Sequence, residues 1–132
     1  MWDLAVDPVS HELINEFYAE NKIISAVCHG PAALAYVKLP NGAYLIAGQA
    51  VTGFTNSEEA AVGLTEAVPF SLEGQLNTAS GGKFIKGDDW KSKVVVSGGG
   101  RLITGQNPQS AYGTAQATYD AIFGEETTRD EC

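Results

Sequence analysis

The sequence predicts a three-layer α/β domain, on three observations. Helical periodicities alternate with short apolar runs of strand length. One of those runs, Lys22 to Val27, is mostly apolar, as suits a strand buried on both faces of a parallel sheet. That run gives way within three residues to Pro31, which suits the first turn of a helix, so strand must pass to helix at Cys28-His29-Gly30.

The elements follow in order. Val9 to Asn21 reads as a helix, with Leu13, Ile14, Phe17 and Tyr18 at helical spacing and Asp7 or Ser10 to cap it. Lys22 to Val27 is the strand, and Pro31 to Val37 resumes as a helix. Asn41-Gly42 marks a turn, flanked by short strands at Tyr44 to Ala47 and Ala50 to Val51. Asn56 to Leu64 and Pro69 to Thr78 read as helices. Lys83 to Ile85, Val94 to Val96 and Leu102 to Thr104 are brief β-type runs separated by glycines. Pro108 to Phe123 is the closing helix, with apolar positions Ala111, Ala115, Tyr119 and Ile122. Residues 1–124 are read as one α/β unit and 125–132 as a polar tail.

Composition narrows the function. The 132 residues, 44% hydrophobic, make about one globular domain. The formal charge is −8, from 16 acids against 8 bases, which leaves no electrostatic footprint for nucleic acid or anionic membrane. No apolar run approaches the roughly 20 residues that span a bilayer. Met1-Trp2-Asp3-Leu4 has no basic region and no apolar core, so no signal peptide is expected. Two cysteines, Cys28 and Cys132, make no disulfide framework and point to a reducing compartment.

The chemistry concentrates at Ser25-Ala26-Val27-Cys28-His29-Gly30-Pro31. So tight a turn tends to strain its central residue and to project that side chain over the carboxyl edge of the sheet, where open α/β folds bind ligands. The free N–H groups of the following helix are expected to favour a thiolate at Cys28, with a pKa below that of free cysteine, and the His29 imidazole would add to this if protonated. The His29 backbone N–H could hold an oxyanion, and Gly30 removes a Cβ where strand and helix would collide. A catalytic histidine needs an orienting acid. Candidates lie in Gly53 to Glu59, where Asn56 followed by Glu59 also reads as a capping box; the two roles are compatible. Ser97-Gly98-Gly99-Gly100 lacks the pattern of a phosphate loop and reads as a turn.

The stretch Ala26 to Leu34, AVCHGPAAL, resembles the elbow of the ThiJ/PfpI family, within the class I glutamine-amidotransferase-like superfamily. Gly48 to Glu59, Thr65 to Glu73 and Leu102 to Pro108 resemble its heat-shock-induced, glutathione-independent glyoxalase (glyoxalase III) branch, and the likeness runs from Trp2 to about Phe123. The resemblance implies a flavodoxin-like three-layer fold and a homodimer. It also implies conversion of methylglyoxal and water to D-lactate with no glutathione, cofactor or metal, a chaperone or stress role, and a cytoplasmic or nuclear home. By position, Cys28 would be the nucleophile and His29 the base, and the acid falls on Glu58-Glu59, with Glu59 favoured. The family places about a hundred residues ahead of this point, including the first βαβ units, a glutamate that contacts the nucleophile and a glycine loop with a second oxyanion donor. The N-terminal strands are therefore expected to lie outside this chain, on a separate segment. Competing functions are a cysteine peptidase or amidase of the same superfamily, and a holdase chaperone or redox sensor.

Overall fold

The computed structural model describes residues 1–124; the expected tail, and Cys132 with it, lie outside the described residues. The elements run α1 (Pro8–Ala19), β1 (Ile24–Val27), α2 (Asn56–Ala61), α3 (Leu72–Ala79), β2 (Val94–Ser97), β3 (Leu102–Gly105) and α4 (Ala111–Phe123). Single 3-10 turns lie at Gly30–Ala33, Gly98–Gly100 and Pro108–Ser110. The sheet order is β1-β3-β2, with β1 parallel to β3 and β2 antiparallel to it. The chain thus has a mixed α/β fold with a small mixed sheet.

Register decides what each face of the sheet meets. Ile24 pairs with Leu102 and Ala26 with Thr104, so these four share one face. Against that face sits the hydrophobic core, where Ile24 and Leu102 join Val51, Phe54, Leu72 and Leu76. Ile14 and Tyr18 of α1 and Leu72 and Leu76 of α3 bring both helices to this side. The opposite face meets α4: Thr118 Oγ1 donates to Ser25 Oγ at 2.7 Å. A Cβ at Gly105 would collide with Thr114, Val27 and Ser110, so glycine there is what allows α4 to lie so close to the sheet.

Several expected boundaries shift, each for a local reason. Asp7 caps α1, accepting from Val9 N at 2.8 Å, and the helix ends at Ala19 because Asn21 turns left-handed at φ 60°. β1 begins only at Ile24, where Ile24 N takes up the ladder with Arg101 O. The expected helix from Pro31 to Val37 is a single 3-10 turn followed by further turns closed by i→i+3 bonds, Leu34 N to Pro31 O and Val37 N to Leu34 O. Pro31, Ala32, Leu34, Ala35 and Val37 are all buried, so burial on every side, not an amphipathic period, governs this stretch.

The expected strands at Tyr44–Ala47, Ala50–Val51 and Lys83–Ile85 reduce to two isolated bridges, Lys38 with Tyr44 and Val51 with Phe84. Leu45 and Ile46 are instead plugged into the core from a turn. α2 stops at Ala61 and its chain reverses at Gly63, φ 73°. α3 starts late, at Leu72, because Ser71 caps it through Gly74 N. The glycine run reads as expected: Gly98, Gly99 and Gly100 all hold positive φ in the turn joining β2 to β3.

Two apolar stripes face outward, as expected of a chain whose N-terminal strands lie on a separate segment. On α1, Leu13 and Phe17 are exposed together with Val9, and the helix buries no residue fully. On α4, Ala111, Ala115, Tyr119 and Ile122 lie outward, and the buried positions are Thr114 and Asp120. β1 pairs with β3 alone among the described residues, so one of its edges is unpaired. A groove of about 480 Å³ runs along that side, between Ser25 and Val27 of β1 and Ala115, Tyr119, Ile122 and Phe123 of α4. Among the described residues, no helix is long and apolar enough to cross a membrane.

Candidate active site

Cys28 sits one residue past β1, at the carboxyl end of the strand, with φ 65°. A non-glycine residue there costs about 1–3 kcal/mol, so the surroundings must hold it. They do so through both backbone groups: Cys28 N donates to Gly105 O at 2.9 Å, and Cys28 O accepts from Phe54 N at 2.9 Å. The elbow is therefore clamped between the end of β3 and the segment leading into α2. Gly30 matters less than expected, since a Cβ there would meet Ala26 Cβ at 3.4 Å, an ordinary contact.

The thiol does not have the lowered pKa expected from sequence. Burial pushes the Cys28 thiol up from its ordinary value, and the Glu58 and Glu59 carboxylates push the same way. The backbone N–H of His29 donates to the sulfur and opposes them without prevailing. The reason for the difference is structural. Only a four-residue 3-10 turn follows the elbow, which gives little dipole at the sulfur, and the His29 amide expected to hold an oxyanion is directed at the sulfur itself.

His29 bridges the thiol and an acid. Its Nδ1 lies 3.7 Å from Cys28 Sγ, and its Nε2 lies 2.7 Å from Glu59 Oε2. A carboxylate oxygen accepts, so Nε2 carries the proton and Nδ1 presents its lone pair to the thiol. The ring packs on Phe54 at a tilt of 40°, centroids 4.5 Å apart. Its open side borders a groove of about 310 Å³ lined by Met1, Trp2, Asp3, Leu4, Gly30 and Ala33.

The two adjacent glutamates have different duties. The capping box falls one residue earlier than expected, on Thr55 and Glu58: Thr55 Oγ1 accepts from Glu58 N at 3.1 Å, and Glu58 Oε1 accepts from Thr55 N at 3.1 Å. Thr55 is extended, with ψ 162°, as an N-cap must be, whereas Asn56 is already helical. This shift leaves Glu59 without a capping duty and turned toward His29. Phe54, Trp90 and Asn107 also line or brace the site, and none was a candidate from sequence. Among the described residues, no group of three or more His, Cys, Asp or Glu side chains is placed to hold a metal ion.

No family model matches the chain. The glutathione-independent glyoxalase hsp3101 of Schizosaccharomyces pombe is 33% identical over 123 residues, 89% of this chain and 50% of the relative. Glyoxalase 3 of Candida albicans is 36% identical over 107 residues, 75% of this chain and 43% of the relative. The chain belongs to the glutathione-independent glyoxalase branch of the ThiJ/PfpI family.

Solved structures agree. Rapid Encystment Protein 24 kDa of Francisella tularensis superposes with a TM-score of 0.87 at 44% identity, over 92% of this chain and 52% of that one. Glyoxalase III of Candida albicans superposes with a TM-score of 0.81 at 31% identity, over 91% and 52%. The three-stranded arrangement is thus part of a flavodoxin-like fold. The chain spans about half the length of the curated relatives it matches.

Proposed function

We propose that this chain carries the nucleophile and the acid–base pair of a glutathione-independent glyoxalase acting on a small dicarbonyl such as methylglyoxal. The observation that supports it best is the line Cys28 Sγ, His29 Nδ1, His29 Nε2, Glu59 Oε2 at the end of β1. His29 Nδ1 takes the thiol proton as sulfur adds to the aldehyde carbon, giving a hemithioacetal. This step matters because the thiol pKa is raised, so the base must remove the proton during attack. His29 then carries the proton of that carbon to the neighbouring carbonyl carbon through an enediol. The aldehyde carbon is oxidised as the ketone carbon is reduced, leaving a lactoyl thioester. Water cleaves the thioester and restores the thiol, and Glu59 stabilises the imidazolium formed on the way.

A separate N-terminal segment belongs to the same proposal. Its support is the unpaired edge of β1 and the outward apolar stripes of α1 and α4, which a further strand and helix would cover. That segment would bring the glutamate and the second oxyanion donor implied by the family resemblance. The homodimer implied by the same resemblance is also carried as part of this reading.

The test is D-lactate formation from methylglyoxal without glutathione, with the chain alone and with the N-terminal half of a full-length relative added. Turnover in the mixture that Cys28→Ala abolishes supports the proposal; no D-lactate in either case overturns it. The exposed Val9, Leu13 and Phe17 favour one second reading, a holdase chaperone. Suppression of aggregation that survives Cys28→Ser would support that role.

A further inference from the structure

Glu58 is fully buried beside the site, and its role exceeds the capping box. Oε1 accepts from Thr55 N and from Thr55 Oγ1 at 2.9 Å. Oε2 accepts from Trp90 N at 2.9 Å and from Asn107 Nδ2 at 2.7 Å. Both oxygens are thus committed, and Glu58 is not free to orient His29. The second pair of bonds ties α2 to the turn around Trp90. The same turn is held by Asn107 Nδ2 donating to Lys91 O at 2.8 Å and by Ser57 Oγ donating to Asp89 Oδ1 at 2.7 Å.

The tethered residue is strained and reaches the site through Phe54. Trp90 holds φ 61°, a left-handed conformation that an indole-bearing residue does not adopt unaided. Its ring meets Phe54 edge-on, centroids 5.7 Å apart at 67°, and Phe54 in turn covers the His29 ring at 4.5 Å. Phe54 also bonds to Cys28 O through its own N–H. A continuous line therefore runs from the Glu58 carboxylate through Trp90 and Phe54 to the imidazole.

We infer that Glu58 is a positioning residue for His29: by fixing the Trp90 backbone it presses the indole on Phe54, and Phe54 holds the imidazole in line between Cys28 and Glu59. The inference rests on the reading of Cys28 and His29 as the reacting pair. It assigns Trp90 as the backing of Phe54, so the ring, not the backbone turn alone, carries the effect.

The experiment reads the His29 tautomer in the full chain, by long-range 1H–15N correlation at a pH where the ring is neutral, beside the rate of Cys28 alkylation by iodoacetamide. Trp90→Gly is the decisive variant, since glycine accepts φ 61° and the turn survives without the indole. The wild type is expected to hold one tautomer, with its proton on Nε2. In Trp90→Gly the two nitrogen shifts should converge toward a tautomer average, and alkylation should change by about fivefold or more, as a loosened site predicts. Trp90→Phe should restore both to within about twofold, because an aromatic wall is back in place. Glu58→Gln should repeat the tautomer averaging of Trp90→Gly.

A wild-type tautomer and alkylation rate in a folded Trp90→Gly protein overturn the inference. So does a Trp90→Phe variant that rescues neither. A folded Glu58→Gln protein with the wild-type tautomer and alkylation rate overturns it as well; if that variant fails to fold, Glu58→Asp, which keeps the charge but shortens the reach to Trp90 N, takes its place with the same two outcomes. Failure of the glyoxalase reading would look different: no D-lactate, with the tautomer response to Trp90 variants intact.

Discussion

Glu59 reaches His29 with one carboxylate oxygen, Oε2 at 2.7 Å from Nε2, while its other oxygen is buried with no hydrogen-bond partner among the described residues. A structural glutamate would be expected to satisfy both oxygens. This one spends its hydrogen bond on the imidazole alone, which supports the orienting role proposed for it. Glu59→Gln should therefore lower turnover by about 10²-fold or more in the complemented enzyme, because an amide neither fixes the tautomer nor stabilises the imidazolium. The melting temperature should barely move, since the capping box belongs to Thr55 and Glu58. Steady-state D-lactate assays beside thermal denaturation check both halves.

Glu58 should show the reverse pattern on stability. Burial opposes its charge, but the bonds from Trp90 N, Asn107 Nδ2, Thr55 N and Thr55 Oγ1 outweigh that and hold its pKa below the usual carboxylate range. A depressed folded pKa contributes stability that is fully present above the unfolded value, about 4.3, and is lost as pH falls through the folded one. Glu58→Gln should cost about 2–3 kcal/mol at pH 7, the scale of hydrogen bonds to a charged group. The gap between wild type and variant should shrink as pH drops below about 4. Urea midpoints at pH 7 and pH 3 measure it.

Cys28 gives a prediction of opposite sign. Its thiol pKa is raised by burial and by Glu58 and Glu59, so its stability contribution is present below the unfolded value, about 8.5, and is lost as pH rises through the folded one. Wild type should lose stability above about pH 8.5 faster than Cys28→Ala does. The pH midpoint of iodoacetamide alkylation in the chain alone should lie above that of a free thiol. A midpoint below it would show that the imidazole outweighs burial and the two carboxylates.

What was legible in the sequence follows from how local each cause is. The elbow could be read because an apolar strand running into Pro31 leaves only Cys28, His29 and Gly30 to turn the chain, and φ 65° at Cys28 is the strain that such a turn implies, although Gly105 and Phe54 are what hold it. The helix cores could be read from periodicity. The helix expected over Pro31 to Val37 and the strands expected around Tyr44 could not, because contacts distant in sequence, such as Leu45 N with Val37 O, override local preference there. The capping box slipped by one residue because Thr55 and Asn56 are both good caps, and only the backbone chooses between them. Trp90 carries no local signal: its left-handed backbone bonds through its N–H to Glu58, 32 positions away, a contact only the fold brings about. The sign of the Cys28 shift is not legible in the motif, because the burial and the approach of Glu58 and Glu59 arise from the fold.

The apolar stripe of α1 makes a prediction about solubility and partnership together. Val9, Leu13 and Phe17 recur at i, i+4 and i+8, and all three are exposed, Val9 by 72%. Such a row is the seam of a helix that packs on something else. Leu13→Glu should reduce dye binding and self-association of the isolated chain, with a stability change within about 0.5 kcal/mol, because Leu13 is already 55% exposed. The same substitution should weaken recovery of activity when the complementing half is added. An unchanged association state and unchanged recovery would mean that the stripe is an ordinary apolar surface.

The free edge of β1 leads to the last prediction. Ile24 to Val27 pairs with β3 on one side, and beside its free edge Ser25 and Val27 look into the groove against Ala115, Tyr119, Ile122 and Phe123. An edge strand of this kind, unshielded by charge or proline, is a template for another strand. If the complementing segment supplies that strand, it must form a ladder with Ile24–Val27, one residue before the nucleophile. Ordering should therefore propagate to Cys28. In hydrogen exchange, the amides of β1 that do not bond to β3 should gain protection of tenfold or more on addition of the N-terminal half, while those bonded to β3 change little. Cys28 alkylation should shift in the same titration, with the same half-saturation. Replacing Ser25 with proline removes a backbone donor and stiffens the strand. It should abolish both responses, and circular dichroism must show the fold retained for the loss to count. Protection that appears on α4 without β1 would place the partner on the helix instead, and would separate the covering of the apolar groove from completion of the sheet.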